Sequence, residues 1–172
     1  MVVWVHMTST IEKTLVIIKP DGVKRGLMGR ILQRFEDAGL KIVGMKMRWV
    51  DAGHAQKHYT EDLAIRRGEH VRKQMVEFIT SGPVVAFVIQ GVNAIENVRK
   101  MIGATEPKAA SPGTIRGDFS HMSFSHADAE GKGIENLVHA SSDATDAEHE
   151  VWLWFNVDEI SDYKTVHETH TF

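Results

Sequence analysis

Short apolar runs alternate with stretches of helical periodicity along the whole chain, and this alternation constrains the fold more than any other feature. The first run, TLVII, is followed by Lys-Pro-Asp-Gly, which is typical of a buried strand that ends in a turn. Strands are predicted at Thr14–Ile18, Leu40–Val50, Val84–Ile89 and Val151–Phe155. Helices are predicted at Gly26–Ala38, from Asp51 towards Tyr59, at Val71–Thr80 and at Val92–Met101.

The order of these elements predicts an α+β fold of the ferredoxin-like, split β-α-β type, a four-stranded antiparallel sheet with helices packed on it. A three-layer α/β sheet is the alternative. In the second strand, Val43, Met45, Met47 and Trp49 alternate with smaller or charged residues, so they are expected on one face. Residues 60–70 are interpreted as a loop or the start of a helix, and residues 119–135 as a polar surface excursion.

The size and charge of the chain limit its domain count and its partners. Its 172 residues suit a single domain at 11–172, with residues 1–10 as an N-terminal extension. A net charge of −3 gives no general basic surface for nucleic acid. The absence of cysteine excludes disulfides and thiolate chemistry. The sequence shows neither a secretory signal nor an apolar run long enough to span a membrane, so the cytoplasm is the expected location.

Phosphate binding, if it occurs, must depend on side chains. The chain has no G-x-x-x-x-G-K-[ST] loop, no G-x-G-x-x-G fingerprint and no G-x-S-x-G elbow. The candidate cations are Lys19, Arg99 and Arg116, each at or beside the end of a regular element. Arg116 lies between two glycines, and a guanidinium can bind phosphate oxygens through paired hydrogen bonds. A surface ion pair between Arg116 and Asp118 is the alternative interpretation.

His139 is the candidate nucleophile. It follows the apolar pair Leu137-Val138 and precedes two small residues, so its imidazole could be reached by a substrate. A neutral imidazole nitrogen is a competent nucleophile near neutral pH, and a carboxylate on the other ring nitrogen would fix its tautomer. Glu150, just before the predicted last strand, could supply that carboxylate. A histidine packed in the core is the alternative interpretation.

Seven motifs in order resemble the nucleoside diphosphate kinase family over about Thr14 to Tyr163. They are TLVIIKPDGVKRGLMG at 14–29, HY at 58–59, ITSGPVV at 79–85, GATEP at 103–107, SPGTIRGDF at 111–119, NLVHAS at 136–141 and EVWLWF at 150–155. The resemblance implies an enzyme that moves the γ-phosphate of a nucleoside triphosphate to a nucleoside diphosphate in two steps through a phosphohistidine.

The resemblance also implies a role for each matching residue. His139 would be the nucleophile, with Glu150 on its far ring nitrogen and Ser141 beside it. Phosphate and sugar contacts would come from Lys19, Tyr59, Arg99, Thr105, Arg116 and Asn136. Mg²⁺ would bridge the nucleotide phosphates with few protein ligands, which agrees with its reluctance to shed water. The family's assembly into hexamers or tetramers from dimers, and its tolerance of different bases, would follow as well.

Three departures from the family pattern affect these expectations. Val71 stands where the family has a phenylalanine that stacks on the base, so base stacking is expected to be weaker. The segment between Asp118 and Asn136 is longer than usual and is expected to be a surface loop rather than a lid. The family's H-G-S-D is here H-A-S-S, from His139 onwards.

The sequence leaves two alternatives to a working kinase. The first is a nucleotide-binding regulatory or interaction protein on the same fold with weak transfer activity. The second is a DNA-binding factor, which the acidic net charge does not favour. Every residue to which the resemblance gives a phosphate, sugar or histidine contact is present, and this favours the enzyme.

Overall fold

Four strands form one antiparallel sheet in the order β2-β3-β1-β4, in the computed structural model that describes residues 10–172. The strands are β1 (Ile11–Ile18), β2 (Lys41–Trp49), β3 (Pro83–Val92) and β4 (Val138–Ala140). This order confirms the predicted ferredoxin-like sheet. Residues 1–9 of the predicted N-terminal extension lie outside the described part of the chain.

Helices connect the strands and cover the sheet. They are α1 (Pro20–Lys24), α2 (Met28–Asp37), α3 (Ala52–His58), α4 (Glu61–Arg67), α5 (Glu69–Thr80), α6 (Ala94–Ile102), α7 (Ile115–Phe119), α8 (Phe124–Ala129), α9 (Ala144–Trp154) and α10 (Glu168–Thr171). Short 3₁₀ turns occur at Pro107–Ala109 and Val157–Glu159. Among the described residues, no helix combines the length and the apolar character needed to cross a bilayer.

The central strand β1 is apolar at consecutive positions because both of its faces are buried. Val16 and Ile18 pack into one core with Phe35 and Phe87. Leu15 and Ile17 pack into a second core on the other face of the sheet, with residues of α3, α5 and α9. Side chains on a strand point alternately to the two faces, so a strand inside such a sandwich shows no polar alternation.

The prediction of a last strand at Val151–Phe155 is wrong, because these residues end helix α9. Asp143 begins that helix by accepting a hydrogen bond from the Asp146 backbone N–H at 2.9 Å. The buried side chains then recur at helical spacing, at Ala147, Glu150, Val151 and Trp154. The fourth strand lies earlier, at β4, and it contains His139.

The predicted apolar face of β2 is largely exposed. Met45, Met47 and Trp49 expose 56%, 55% and 67% of their surface, whereas Val43 is buried. The pairing of β2 with β3 shifts register between Ile42 and Gly44, and such an irregularity changes which side chains face the core. Strand β2 is also the edge of the sheet, so its exposed side chains form an apolar surface there.

Candidate active site

One cleft of about 670 Å³ brings together almost all of the residues that the sequence singled out. The predicted site residues that line it are Lys19, Tyr59, Val71, Arg99, Thr105, Arg116, Asn136, His139 and Glu150. Ser141 is fully buried next to this lining and contacts it through Glu150. The interpretation of His139 as a closed core residue is therefore wrong, because its side chain is about 20% exposed and lines the cleft.

The imidazole of His139 is held in one orientation by Glu150. His139 sits in the middle of β4, opposite Ile17 of β1, and Glu150 projects from the buried stripe of α9. The Nε2 atom of His139 lies 2.8 and 3.0 Å from the two carboxylate oxygens of Glu150. An ionised carboxylate only accepts hydrogen bonds, so Nε2 carries the proton and Nδ1 keeps its lone pair.

Ser141 fixes Glu150 from the other side. Its hydroxyl donates to Oε2 of Glu150 at 2.6 Å, inside the protein. Burial by itself would raise the pKa of Glu150, but the charge and hydrogen bond of His139, together with His58 and the Ser141 hydroxyl, lower this pKa to about 2. The carboxylate is therefore ionised at neutral pH and ready to balance positive charge on the imidazole.

The residues just before His139 have a constrained backbone. Leu137 has φ of +70°, which is rare for a residue other than glycine. Its N–H donates to Oδ2 of Asp21 at 3.0 Å, and its carbonyl accepts from the Lys19 N–H at 2.8 Å. The sequence predicts no role for Asp21 beyond its place in the turn that follows Lys-Pro. This buried carboxylate therefore links the start of α1 to Leu137, the residue just before β4.

Lys19 and Asn136 form a buried polar pair in the cleft. The ammonium group of Lys19 donates to Oδ1 of Asn136 at 2.8 Å, and the Asn136 amide donates to the Thr105 carbonyl at 2.7 Å. Burial, and secondly the charge of Arg116, lower the pKa of Lys19 to about 7. The three residues predicted from separate motifs therefore form one connected group.

Arg116 is held by the backbone. Its guanidinium donates to the carbonyls of Gly103 at 2.8 Å, Asn136 at 3.1 Å and Val138 at 2.6 Å. The alternative of an Arg116–Asp118 ion pair is wrong, because Asp118 pairs with Arg34 instead, at 2.7 Å. Burial, and secondly the nearby Arg99, lower the pKa of Arg116 to about 10, so it stays charged at neutral pH.

Arg99 and Tyr59 have fewer partners within the protein. Arg99 is exposed in the last turn of α6, where its guanidinium donates one long hydrogen bond, 3.4 Å, to the Ala140 carbonyl. The Tyr59 hydroxyl is buried and makes no hydrogen bond to any described residue. Burial raises the pKa of Tyr59, so this hydroxyl remains a donor at neutral pH.

His58 is a site residue to which sequence reasoning gave no role. Its ring packs edge-on against the His139 ring, with centroids 4.5 Å apart, and its Nδ1 accepts from the Trp154 indole at 3.3 Å. Burial, and secondly His139, lower the pKa of His58 well below its usual value. His58 is therefore neutral at pH 7 and supports the nucleophile without adding charge. Its place beside Tyr59 in the HY motif was the available signal.

The donor set of the cleft does not suit a resident Mg²⁺. Within residues 10–172, the one group of three metal-ligating side chains consists of His58, His139 and Glu150. Mg²⁺ prefers oxygen ligands, whereas two of these three side chains offer nitrogen. Two of them also already bind each other. The cleft therefore provides cations and hydrogen-bond donors rather than a metal cage.

Comparison with known proteins gives a consistent result. The family model described as nucleoside diphosphate kinase matches residues 12–160. A nucleoside diphosphate kinase of Borreliella burgdorferi is 50% identical over 155 residues, which cover 90% of this chain and 93% of the relative. A nucleoside diphosphate kinase of Pyrococcus abyssi is 55% identical over 152 residues, which cover 88% of this chain and 89% of the relative.

Solved structures agree with the sequence comparison. A Borrelia burgdorferi nucleoside diphosphate kinase, described as a transition-state mimic with bound vanadate and ADP, superimposes with a TM-score of 0.93 at 48% identity, over 94% of this chain and 97% of that one. A halophilic nucleoside diphosphate kinase from Halobacterium salinarum in complex with CDP gives a TM-score of 0.79 at 40% identity, over 92% and 96%. The family match and the shared fold lead to one conclusion: this chain belongs to the nucleoside diphosphate kinase family.

Proposed function

We propose that this protein transfers the γ-phosphate of a nucleoside triphosphate to a nucleoside diphosphate by a ping-pong mechanism, through a phosphohistidine on His139. The observation that supports this most directly is the hydrogen bond from His139 Nε2 to Glu150. It leaves Nδ1 as the nucleophilic atom of an imidazole that lines a cleft together with Lys19, Arg99 and Arg116.

The first step forms one bond and breaks one. The lone pair on Nδ1 attacks the γ-phosphorus, and the bond between that phosphorus and the β–γ bridging oxygen breaks. The bridging oxygen keeps the electron pair, and the nucleoside diphosphate leaves. The imidazole keeps its Nε2 proton, so Glu150 balances the positive charge that develops on the ring. A second diphosphate reverses these events and regenerates neutral His139.

The side chains around His139 suit the stabilisation of a phosphoryl group during its transfer. Phosphoryl transfer depends on in-line positioning and on neutralising charge on the transferred oxygens. Arg99 and Arg116 supply fixed positive charge, Lys19 supplies a charge that a bound phosphate favours, and the buried Tyr59 hydroxyl supplies a donor. Asn136, which already binds Lys19, would contact a sugar hydroxyl, and Thr105 lines the same cleft.

Mg²⁺ is proposed to enter as part of the substrate, bound to the nucleotide phosphates. The group formed by His58, His139 and Glu150 supports this, because two of its three ligands are nitrogen atoms and Mg²⁺ prefers oxygen. The ion would neutralise phosphate charge there. Broad base tolerance is proposed because the Borrelia relative is described with ADP and the Halobacterium relative with CDP.

Self-association and a cytoplasmic location are part of the same proposal. The exposed apolar side chains on edge strand β2, at Met45, Met47 and Trp49, support assembly of a dimer and of larger oligomers from dimers. No specific nucleic acid or membrane partner is proposed, in line with the mildly acidic net charge.

Incubation with γ-labelled ATP and Mg²⁺ tests the proposed function. We expect a protein-bound label that is labile in acid, stable in base and removed by GDP. The His139→Ala variant should carry no label. The His149→Ala variant is the matched control, because His149 is exposed and lines the same cleft but contacts neither Glu150 nor Ser141 in the described hydrogen bonds.

The same experiment separates the enzyme from a regulatory nucleotide-binding protein. A regulatory protein would bind ATP but would not pass a label to GDP at a rate typical of an enzyme. Persistent labelling and transfer by His139→Ala would contradict the assignment of the nucleophile. Loss of label in His149→Ala alone would mean that the nucleophile is His149, on α9, and not His139.

A further inference from the structure

We propose that Phe124, on the segment between Asp118 and Asn136, contacts the nucleotide base and takes the place of the ring that Val71 does not provide. The inference rests on the proposed function, since it concerns the base of the same substrate. It identifies a substrate-binding residue on a part of the chain that the sequence indicated only as a surface loop.

The cleft lining limits which ring could meet a base. Among residues 10–172, Phe124 is the only phenylalanine or tryptophan that lines the cleft. The other large aromatic side chain there, Tyr59, is 7% exposed, and its hydroxyl lies within the buried part of the site. Phe124 is 39% exposed, so its ring has a free surface that a planar ligand can cover.

The rest of the lining divides by chemistry. The buried cations and His139 belong to the part of the cleft that suits phosphate. Apolar side chains suited to a base also line the cleft, and they come from two helices and the longer segment, which contribute charged side chains as well. The apolar side chains are Leu63, Val71 and Met75 from α4 and α5, and Phe124, Ala127 and Ile134 from the longer segment.

Several backbone contacts hold Phe124 in place. Helix α8 begins at Phe124, and the preceding Ser123 side chain accepts from the His126 N–H at 3.3 Å. The Phe124 N–H itself donates to Glu106 Oε1 at 2.9 Å, and the Met122 carbonyl accepts from the Lys108 N–H at 3.0 Å. A ring at such an anchored position loses little freedom when it binds a ligand.

The end of the same segment packs closely on the helix that carries Val71. A Cβ atom added at Gly133 would lie 3.3 Å from the Gln74 carbonyl oxygen in α5. The backbone of the longer segment therefore approaches α5 directly, one turn from Val71. Because of this contact the longer segment is a wall of the cleft and not a free loop. Residues of the segment and of α5 line the same cleft.

A phenyl ring contacts any base through its π face, so this contact would keep the proposed tolerance of different bases. Equilibrium binding of ADP, measured by calorimetry, tests the inference against binding of pyrophosphate, which has no base. For Phe124→Ala we expect the Kd of ADP to rise about 5- to 100-fold, because stacking of one base is lost. The Kd of pyrophosphate should stay within about twofold of the wild-type value.

Two further variants separate stacking from support of the fold. Phe124→Trp should keep ADP affinity, whereas Phe124→Leu, which keeps apolar bulk without a π face, should weaken it. Phe172→Ala is the matched control, since Phe172 is 37% exposed but does not line the cleft. It should leave both ligands unaffected.

The double variant gives the sharpest result. Val71→Phe should restore ADP affinity in the Phe124→Ala background and add little to the wild-type protein. An equal gain in both backgrounds, an unchanged ADP Kd in Phe124→Ala, or equal losses for ADP and pyrophosphate would each overturn the inference. Labelling of His139 at saturating ATP tests the proposed function separately, because it needs no tight base contact.

Discussion

Replacing Arg116 by methionine tests whether this residue serves the fold as much as the substrate. Its guanidinium donates to three backbone carbonyls, those of Gly103, Asn136 and Val138, which belong to two different loops and to β4. Arg99, the other cleft arginine, donates one hydrogen bond of 3.4 Å. The two side chains were predicted to have the same role, but their contacts within the protein differ.

The expected loss of stability follows from those three hydrogen bonds. Hydrogen bonds to a charged group contribute about 1.5–3 kcal/mol each, and they are not additive when they share one donor group. Methionine keeps most of the apolar stem of Arg116 but leaves the carbonyls to water or to nothing. We therefore expect the free energy of unfolding to fall by about 3–5 kcal/mol. With a urea slope of about 2 kcal/mol per M, the midpoint falls by about 1.5–2.5 M.

Urea unfolding at one fixed protein concentration measures this loss, and Arg99→Met is the matched control. Because Arg99 is exposed and has a single long hydrogen bond within residues 10–172, its variant should lose less than about 1 kcal/mol of stability. The same Arg99→Met variant should bind ADP at least about tenfold more weakly, because it removes a phosphate partner. A wild-type urea midpoint for Arg116→Met would refute the reasoning.

Two other predictions concern the groups around His139. The pKa of about 7 for Lys19 means that the side chain is mostly neutral above that pH in the free protein, whereas phosphate favours the charged form. Binding of ADP at pH 8 should therefore take up a proton, and its affinity should fall as the pH rises above 7. Calorimetry in buffers of different ionisation enthalpy measures the uptake, which Lys19→Met should abolish; a heat independent of buffer would contradict it. Ser141→Ala should lower stability by about 1–2 kcal/mol and slow single-turnover transfer a few-fold, because Glu150 loses one donor. A loss as complete as that of His139→Ala would instead mean that Ser141 touches the substrate.

The sheet could be predicted because its strands have clear local patterns. The run around Ile17 is apolar at every position since it is buried on both faces, and only a central strand needs such a sequence. The run Val151–Phe155 is also apolar at every position, but its neighbours decide its structure. Asp143 begins a helix whose buried stripe includes Glu150, Val151 and Trp154, and a period of two would place Val151 on the opposite side from the other two.

The membership of the site could also be predicted, whereas its internal contacts could not. Chemical type and motif order placed His139 and Glu150 in one cleft, as the structure does. The backbone carbonyls that bind Arg116 have no sequence signature, because every residue has one. The register shift in β2 that exposes Met45 and Met47 likewise depends on pairing with β3, which local sequence does not encode.

The charge distribution of the cleft explains why its cations are buried at all. Burial lowers the pKa of both Lys19 and Arg116. The charge of Arg116 lowers the pKa of Lys19 further, and the charge of Arg99 lowers the pKa of Arg116 further. Buried like charges repel each other, so the free site carries an electrostatic cost. A polyphosphate that enters between them removes this repulsion and replaces the lost hydration with oxygen ligands. The repulsion within the free site therefore becomes a preference for a highly charged anion, in the same cleft that His139 lines.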